Sequence, residues 1–332
     1  MHHRRTLLAA TIVAVCLTVP ASLTAAAEVS PGPVTSTSLV RVILAEFSQV
    51  IWPTIVQDLG SAVSSAPVPL ASSPRKLPSN LDPSLNDPTG TKPRSYSDGC
   101  HRLKGQTTVK TCIYGDRHGT KSVVIFGDSH AAMWLPALDS IAARRGWKLY
   151  SVTKSACPVA RVAHDQPGHS TADCDTWRKN AQTFIAGIHP DLVIAASVER
   201  QGMSGQPSYT AWDAGMLSSL TTLVRHAGQV AVLGETPRFQ VPVPTCLARH
   251  RKDTRHCDSP RSFALSSRRE GDDRATAAAA GALYVRVDDI TCPGSPCASV
   301  IGRYMVSYDD HHMSPAFVMH LIPQFEAKLP TP

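Results

Sequence analysis

The chain has 332 residues, 42% hydrophobic, 18% charged and 6% aromatic, with 26 prolines and 20 glycines. That is enough apolar sequence for one sizeable core with an extended appendage, and it excludes a small scaffold held by disulfides alone. The formal charge of +7, from 33 Lys/Arg and 26 Asp/Glu, is spread out with no basic block and no basic-aromatic interleaving, which excludes nucleic acid as a partner and leaves a mild preference for anionic envelope polymers.

Met1 to Arg5 carries Arg4 and Arg5, Leu7 to Val19 is largely apolar, and Ala25-Ala26-Ala27 supplies small residues before Glu28. This charged, apolar and cleavable order predicts a secretory signal peptide over residues 1–27 and a secreted or cell-envelope location. An uncleaved N-terminal anchor is the alternative, although the stretch is short against the roughly 20 apolar residues of a span. Val15 before Cys16 disfavours a lipoprotein site. Residues 28–95 read as an appendage. Leu39 to Leu59 sets Leu39, Val42, Ile43, Phe47, Val50 and Ile51 at near-helical spacing around Pro53, predicting a short amphipathic docking helix. Ala62 to Pro93 is rich in Pro, Ser, Asn and Asp, which predicts an extended linker unable to bury enough surface to order itself.

The main domain is expected over 96–332. Within it, apolar runs and amphipathic stretches alternate: strand Ser122 to Phe126, helix Ala131 to Arg145, strand Lys148 to Val152, helix Trp177 to Ile188, strand Leu192 to Ala196. Helix Tyr209 to His226, strand Val230 to Gly234, helix Phe263 to Ala282, strand Leu283 to Val287 and helix Pro315 to Leu329 follow. Such alternation predicts an α/β fold, doubly wound and flavodoxin-like, with a parallel sheet of about five strands covered by helices on both faces.

Loss of Cys16 with the signal peptide leaves Cys100, Cys112, Cys157, Cys174, Cys246, Cys257, Cys292 and Cys297. An even number in an exported chain predicts disulfides. Sequence permits roughly a hundred connectivities; nearest-neighbour pairing is expected, since each successive pair spans few residues and would pin one loop. Zinc is disfavoured, because only Cys292 and Cys297 come near C-x-x-C spacing.

In such sheets the ligand sits outside the carboxyl ends of the strands. Ser129 follows Gly127-Asp128 there and opens a helix whose orphan amides would face an oxyanion. Near the other end, Tyr308-Asp309-Asp310-His311-His312-Met313-Ser314 sets Asp309 three residues before His312. One short loop can therefore present an imidazole to Ser129 while the carboxylate fixes its tautomer: Ser129 nucleophile, His312 general base and acid, Asp309 orienter. Taken singly, Asp128 and Ser129 could be only an N-cap, His130 a first-turn residue, and the ionisable run at 309–312 a metal-binding loop.

Val123 to Ala137 (VVIFGDSHAAMWLPA) together with YDDHHMS at 308–314 resembles the SGNH, or GDSL-like, hydrolase superfamily. More narrowly it is similar to the extracytoplasmic SGNH domain fused to membrane acyltransferases of the acyltransferase-three family, which O-acylate cell-surface polysaccharides and peptidoglycan. Leu81-Asp82-Pro83-Ser84-Leu85, Asp98-Gly99-Cys100, Cys112-Ile113-Tyr114-Gly115-Asp116, Thr153-Lys154-Ser155-Ala156-Cys157-Pro158 and Cys174-Asp175-Thr176-Trp177-Arg178 extend the likeness over residues 78–325. The resemblance implies a Ser129, His312 and Asp309 triad with the Ser129 N–H in the oxyanion hole, supported by Gly127, Asp128 and His130. It also implies an acylated envelope polysaccharide or peptidoglycan as substrate, a separate membrane acyltransferase as partner, and neither cofactor nor metal.

Two departures stand out. The superfamily's Gly after the second strand and Asn after the third are replaced by Thr153-Lys154-Ser155-Ala156 and Ser197-Val198-Glu199-Arg200. One lost donor costs about 100- to 1,000-fold in rate, so either Arg200 or an amide near Ser155 substitutes or turnover is slow. No multi-span membrane segment is evident either. Metal-dependent phosphoesterase readings of Asp128-Ser129-His130 or Asp310-His311-His312 lack their companion motifs. An SGNH-like domain that binds glycan or a membrane partner with little turnover remains the alternative to an exported O-acyl esterase or O-acyltransferase.

Overall fold

The computed structural model describes residues 72–87, 92–163, 170–198 and 207–332. The expected signal peptide and the helix over Leu39 to Leu59 lie outside the described residues. Among the described residues the nine strands are β1 His101–Arg102, β2 Ile113–Gly115, β3 Lys121–Gly127, β4 Trp147–Lys154, β5 Leu192–Ala196, β6 Gln229–Leu233, β7 Leu283–Val285, β8 Val300–Ile301 and β9 Tyr304–Met305. The helices that matter below are α1 Ser129–Ala132, α2 Leu135–Arg145, α3 Thr171–Ile188, α4 Tyr209–Val224, α5 Val243–Arg249, α6 Ser267–Ala280, α7 Pro315–His320 and α8 Ile322–Lys328.

Strands β3 and β5 are apolar on both faces, and alternation divides their side chains between two cores. Val123, Ile125, Leu192 and Ile194 pack with Leu135, Leu138 and Ile141 of α2 and with Phe317 and Phe325 of α7 and α8. On the other face Val124, Phe126, Val193 and Ala195 meet Trp177 of α3 and Trp212, Met216 and Leu220 of α4. The strands run in the order β1-β4-β3-β5-β6-β7, with every neighbouring pair in that row parallel. Its five longer members, β4-β3-β5-β6-β7, have the flavodoxin-like order expected from the alternation, so the crevice between helices of opposite faces opens at the carboxyl ends of β3 and β5. The sheet has seven strands rather than about five. Two short additions lie along β4: β1 in parallel at Thr153 and Lys154, and β2 antiparallel at Lys148 to Tyr150.

Helix ends depart from the periodic reading where proline or a cap intervenes. The predicted helix from Ala131 splits into α1 and α2, with Pro136 in the first turn of α2, where its missing N–H is tolerated but a helix running through is not. Pro323 similarly opens α8 and separates it from α7. Ser170 caps α3 well before Trp177 by accepting from the Asp173 N–H at 3.0 Å. Ser266 does the same for α6, which therefore starts after Phe263.

Cysteine pairing is nearest-neighbour throughout, with Cα separations of 6.1 Å for Cys100–Cys112, 5.3 Å for Cys157–Cys174, 5.7 Å for Cys246–Cys257 and 4.9 Å for Cys292–Cys297. The linker expectation is corrected for residues 72–87. Ser73 Oγ donates to Asp258 and accepts from the Val300 N–H at 3.0 Å, Leu77 N–H donates to the Arg251 carbonyl at 3.0 Å, and Leu81 is buried in the core. Asp82 exchanges backbone bonds with Arg303 and Met305, both at 2.9 Å. Composition counts only the apolar surface a segment can bury, whereas this one is held by extended backbone pairing to an edge already formed.

Gly127 closes β3 at φ +144°, and a Cβ there would stand 1.8 Å from the Ala196 carbonyl oxygen of the neighbouring strand. Gly127→Ala is expected to lose about 3 kcal/mol or more of stability, from strained backbone plus a clash with a strand that cannot retreat. Denaturant unfolding of the variant beside wild type measures this; an unchanged midpoint would show that the crevice can widen.

Candidate active site

The turn after β3 is fixed by Asp128. Its side chain is fully buried and caps α1, accepting from the His130 N–H at 2.8 Å, and it reaches across the crevice to accept from the Val198 N–H after β5 at 2.9 Å. Both carboxylate oxygens thus face backbone donors, which argues against a metal-ligand role. Ser129 is the first residue of α1, half-buried at the sheet's rim, and its N–H has no acceptor among the described residues.

The second half of the site is the turn 307–313. Ser307 Oγ donates to the His312 carbonyl at 2.7 Å, and the Tyr308 N–H donates to the same oxygen at 3.0 Å. The Asp309 and Asp310 carbonyls accept from the Val243 and Phe239 N–H groups at 3.0 and 2.7 Å, so the segment after β6 braces the turn. Downstream, Ser314 caps α7 and donates its hydroxyl to the Met305 carbonyl.

These two halves meet. His312 Nε2 lies 2.8 Å from Ser129 Oγ, and His312 Nδ1 lies 2.7 Å from Asp309 Oδ2. The other Asp309 oxygen accepts from the His311 and His312 N–H groups at 2.9 and 2.6 Å. Burial works against the Asp309 charge, but the hydrogen bond and charge of His312 and the two amides outweigh it and hold the carboxyl down to about 2. An imidazole whose Nδ1–H is held by an ionised carboxylate offers its Nε2 lone pair to the serine proton.

The Tyr308 ring lies parallel to His312 at 5.5 Å, and the His130 and His311 rings approach it at 5.2 and 4.1 Å. His130 Nδ1 is 3.4 Å from Thr236 Oγ1. Burial, then the positive field of His312, lowers the His311 pKa. A cleft of about 220 Å³ bordered by His130 and His311 is lined by Val198, Thr236, Arg238, Gln240 and Phe263. Glu235 at its edge accepts from the Ser266 N–H at 2.8 Å and pairs with Arg269 at 3.0 Å, and burial pushes its carboxyl upward. One ring nitrogen from each of His130, His311 and His312 lies within 4.8 Å of the others, as do ligand atoms of Asp309, Asp310 and His311.

The expected oxyanion donors fare differently. The Ser155 N–H is already donated to the Arg102 carbonyl at 2.9 Å, and its hydroxyl pairs with His101 Nε2 at 2.8 Å. This corrects the reading of that amide as a substitute donor: β1, too short to read from sequence, consumes it. Arg200 lies outside the described residues. Sequence reasoning also missed Tyr96, whose ring stacks on His101 at 4.2 Å. Burial raises its phenol pKa, with the charges of Asp128 and Asp309 adding to the shift.

A family model described as "SGNH domain (fused to AT3 domains)" matches residues 99–327. The chain is similar to the periplasmic domain of a lipopolysaccharide acetyltransferase from Salmonella ser. Paratyphi A, at 16% identity and a TM-score of 0.53 over 73% of this chain and 93% of that one, which is a likeness of fold. It is also similar to an acetylxylan esterase from Geobacillus stearothermophilus, at 12% identity and a TM-score of 0.39 over 65% of this chain and 97% of that one. A search of curated proteins gave no match.

The Asp309 shift makes a stability prediction. Its folded pKa of about 2 lies below the ordinary 3.8, so between those values the unfolded chain binds more protons and stability rises with pH. The contribution is complete above about pH 4 and is lost as pH falls towards about 2, amounting to roughly 2 kcal/mol. Denaturant unfolding of wild type and Asp309→Asn at fixed pH should give a stability difference that is flat above pH 4 and shrinks below it. A difference flat down to pH 2 would mean the contacts do not hold the carboxyl ionised.

Proposed function

The chain belongs to the SGNH domain family, and from that premise we propose that it is an exported, serine-dependent O-acyl esterase or O-acyltransferase acting on acyl esters, chiefly acetyl, of cell-envelope polysaccharide or peptidoglycan. The observation that carries the reading is the unbroken hydrogen-bonded series from Ser129 through His312 to Asp309 at the carboxyl end of β3. Ser129 Oγ attacks the ester carbonyl while His312 Nε2 takes its proton, and the Oγ–C bond forms as the carbonyl π pair moves onto oxygen. Asp309 keeps the imidazolium oriented and stabilised. The Ser129 N–H supports the oxyanion, with Arg200 as the second donor. Collapse of the intermediate expels the sugar alkoxide, which takes the proton from His312 and leaves an acyl-Ser129 ester. Water, or a glycan hydroxyl entering from the cleft beside Thr236 and Phe263, then deacylates it by the reverse proton path.

The family's description, fused to AT3 domains, supports a separate membrane acyltransferase as acyl donor. No helix among the described residues is long and apolar enough to cross a membrane. The signal-peptide pattern over 1–27, and a fold shared with a periplasmic domain, support an extracytoplasmic site of action. One observation favours the alternative, a domain that binds glycan or a membrane partner with little turnover: the Ser155 amide, where a second oxyanion donor was expected, is already donated to Arg102.

A fluorophosphonate probe, with the adduct located by peptide mass spectrometry, decides between them. An adduct on Ser129 that Ser129→Ala abolishes is expected, together with a loss of at least about 1,000-fold in acetyl ester hydrolysis for His312→Ala at unchanged folding. A folded, disulfide-intact sample that takes no label would favour the binding domain.

A further inference from the structure

Three imidazoles converge at the site, and the proposed chemistry uses one. His130, His311 and His312 each contribute a ring nitrogen to a cluster in which these atoms all lie within 4.8 Å of one another. The rings are held from behind in the same manner. His130 Nδ1 faces Thr236 Oγ1 at 3.4 Å, His311 Nδ1 faces Asp310 Oδ1 at 2.7 Å, and His312 Nδ1 faces Asp309 Oδ2 at 2.7 Å. A carboxylate on Nδ1 of His311 and of His312 selects the tautomer with its lone pair on Nε2 and raises the basicity of that nitrogen, the outer-shell arrangement that serves zinc-binding histidines, while the Thr236 hydroxyl orients the His130 ring. Three imidazole nitrogens with no thiolate form a ligand set of borderline softness, suited to zinc and its divalent neighbours rather than to calcium or magnesium.

We propose that His130, His311 and His312 form a binding site for a zinc-class divalent ion, and that occupying it switches the serine off. The consequence for activity rests on the function proposed above; the binding does not. His312 Nε2 is the atom that accepts the Ser129 proton. An ion on that lone pair removes the base, so Ser129 stays protonated and the ester is not attacked. Ligand nitrogens around tetrahedral zinc lie roughly 3.3 Å apart, so nitrogens within 4.8 Å of one another draw together on binding. His311, the most exposed of the three rings, lies on the turn 307–313 and supplies that movement. Restoring the apo site with a chelator reverses the block.

The test uses tag-free protein, because a polyhistidine tag would itself bind the probe. Zinc chloride is titrated into wild type and His311→Gln by calorimetry, and acetyl ester hydrolysis is followed in parallel before and after EDTA. The exposed His250–His256 pair, stacked at 5.1 Å, is a separate place for zinc, so the readout is the difference made by the substitution. Wild type is expected to bind one more equivalent than His311→Gln at micromolar zinc and to lose at least ten-fold in rate, recovered by EDTA. Measured against its own metal-free rate, His311→Gln should need at least ten-fold more zinc than wild type for the same fractional inhibition. His130→Asn should shift the zinc titration in the same direction. Binding and inhibition left intact by His311→Gln, or no saturable binding below 100 micromolar, would overturn the site. A wild type that hydrolyses nothing yet binds zinc through His311 would keep the site and sink the proposed enzyme.

Discussion

The Asp128 carboxylate has no exposed surface, and taking a charge out of water costs several kcal/mol unless donors replace the hydration. Here backbone donors from both sides of the crevice do so: the His130 amide at the head of α1 and the Val198 amide after β5. One side chain therefore sets where α1 begins and how far apart the two strand ends stand. Gly127 must be glycine because that spacing brings the Ala196 carbonyl against its α-carbon. Ser129 lands at the rim as the next residue, so the position of the proposed nucleophile follows from a buried charge satisfied by main chain.

The partner of Ser129 is positioned by the same means. Asp309 accepts from two consecutive amides as well as from the His312 ring, and the carbonyls of its turn are taken up by Phe239 and Val243. Main-chain bonds hold both halves, while side chains carry the chemistry. The Tyr308, His130 and His311 rings packed round His312 exclude water from its faces, which strengthens the Asp309–His312 interaction relative to an exposed pair.

How far the sequence could be read depended on the range of the forces involved. The five long strands, their order and the Gly127-Asp128-Ser129 turn follow from patterns a few residues wide, and local cysteine spacing was enough for all four pairings. Asp309 and His312 were legible because two residues three positions apart in one turn supply that half of the constellation. By contrast, β1 and β2 are two and three residues long and exist only because β4 offers an edge. That edge is why the Ser155 amide is taken up by the Arg102 carbonyl and why His101 pairs with the Ser155 hydroxyl. Residues 72–87 were misread for the same reason: their partners lie more than 170 residues away, at Arg251, Asp258 and Arg303. The convergence of His130 with His311 needed the sheet to bring the two ends of the domain together.

The four disulfides join cysteines 12, 17, 11 and 5 residues apart, and no bridge spans from one sheet strand to a distant one. Each can close as soon as its own short stretch has entered an oxidising compartment, in order from the N-terminal side, with no need to wait for a later segment or to undo an earlier bond. On the export proposed above, oxidation can thus keep pace with delivery of the unfolded chain, and the long-range assembly of the parallel sheet proceeds on a chain whose cross-links are already correct.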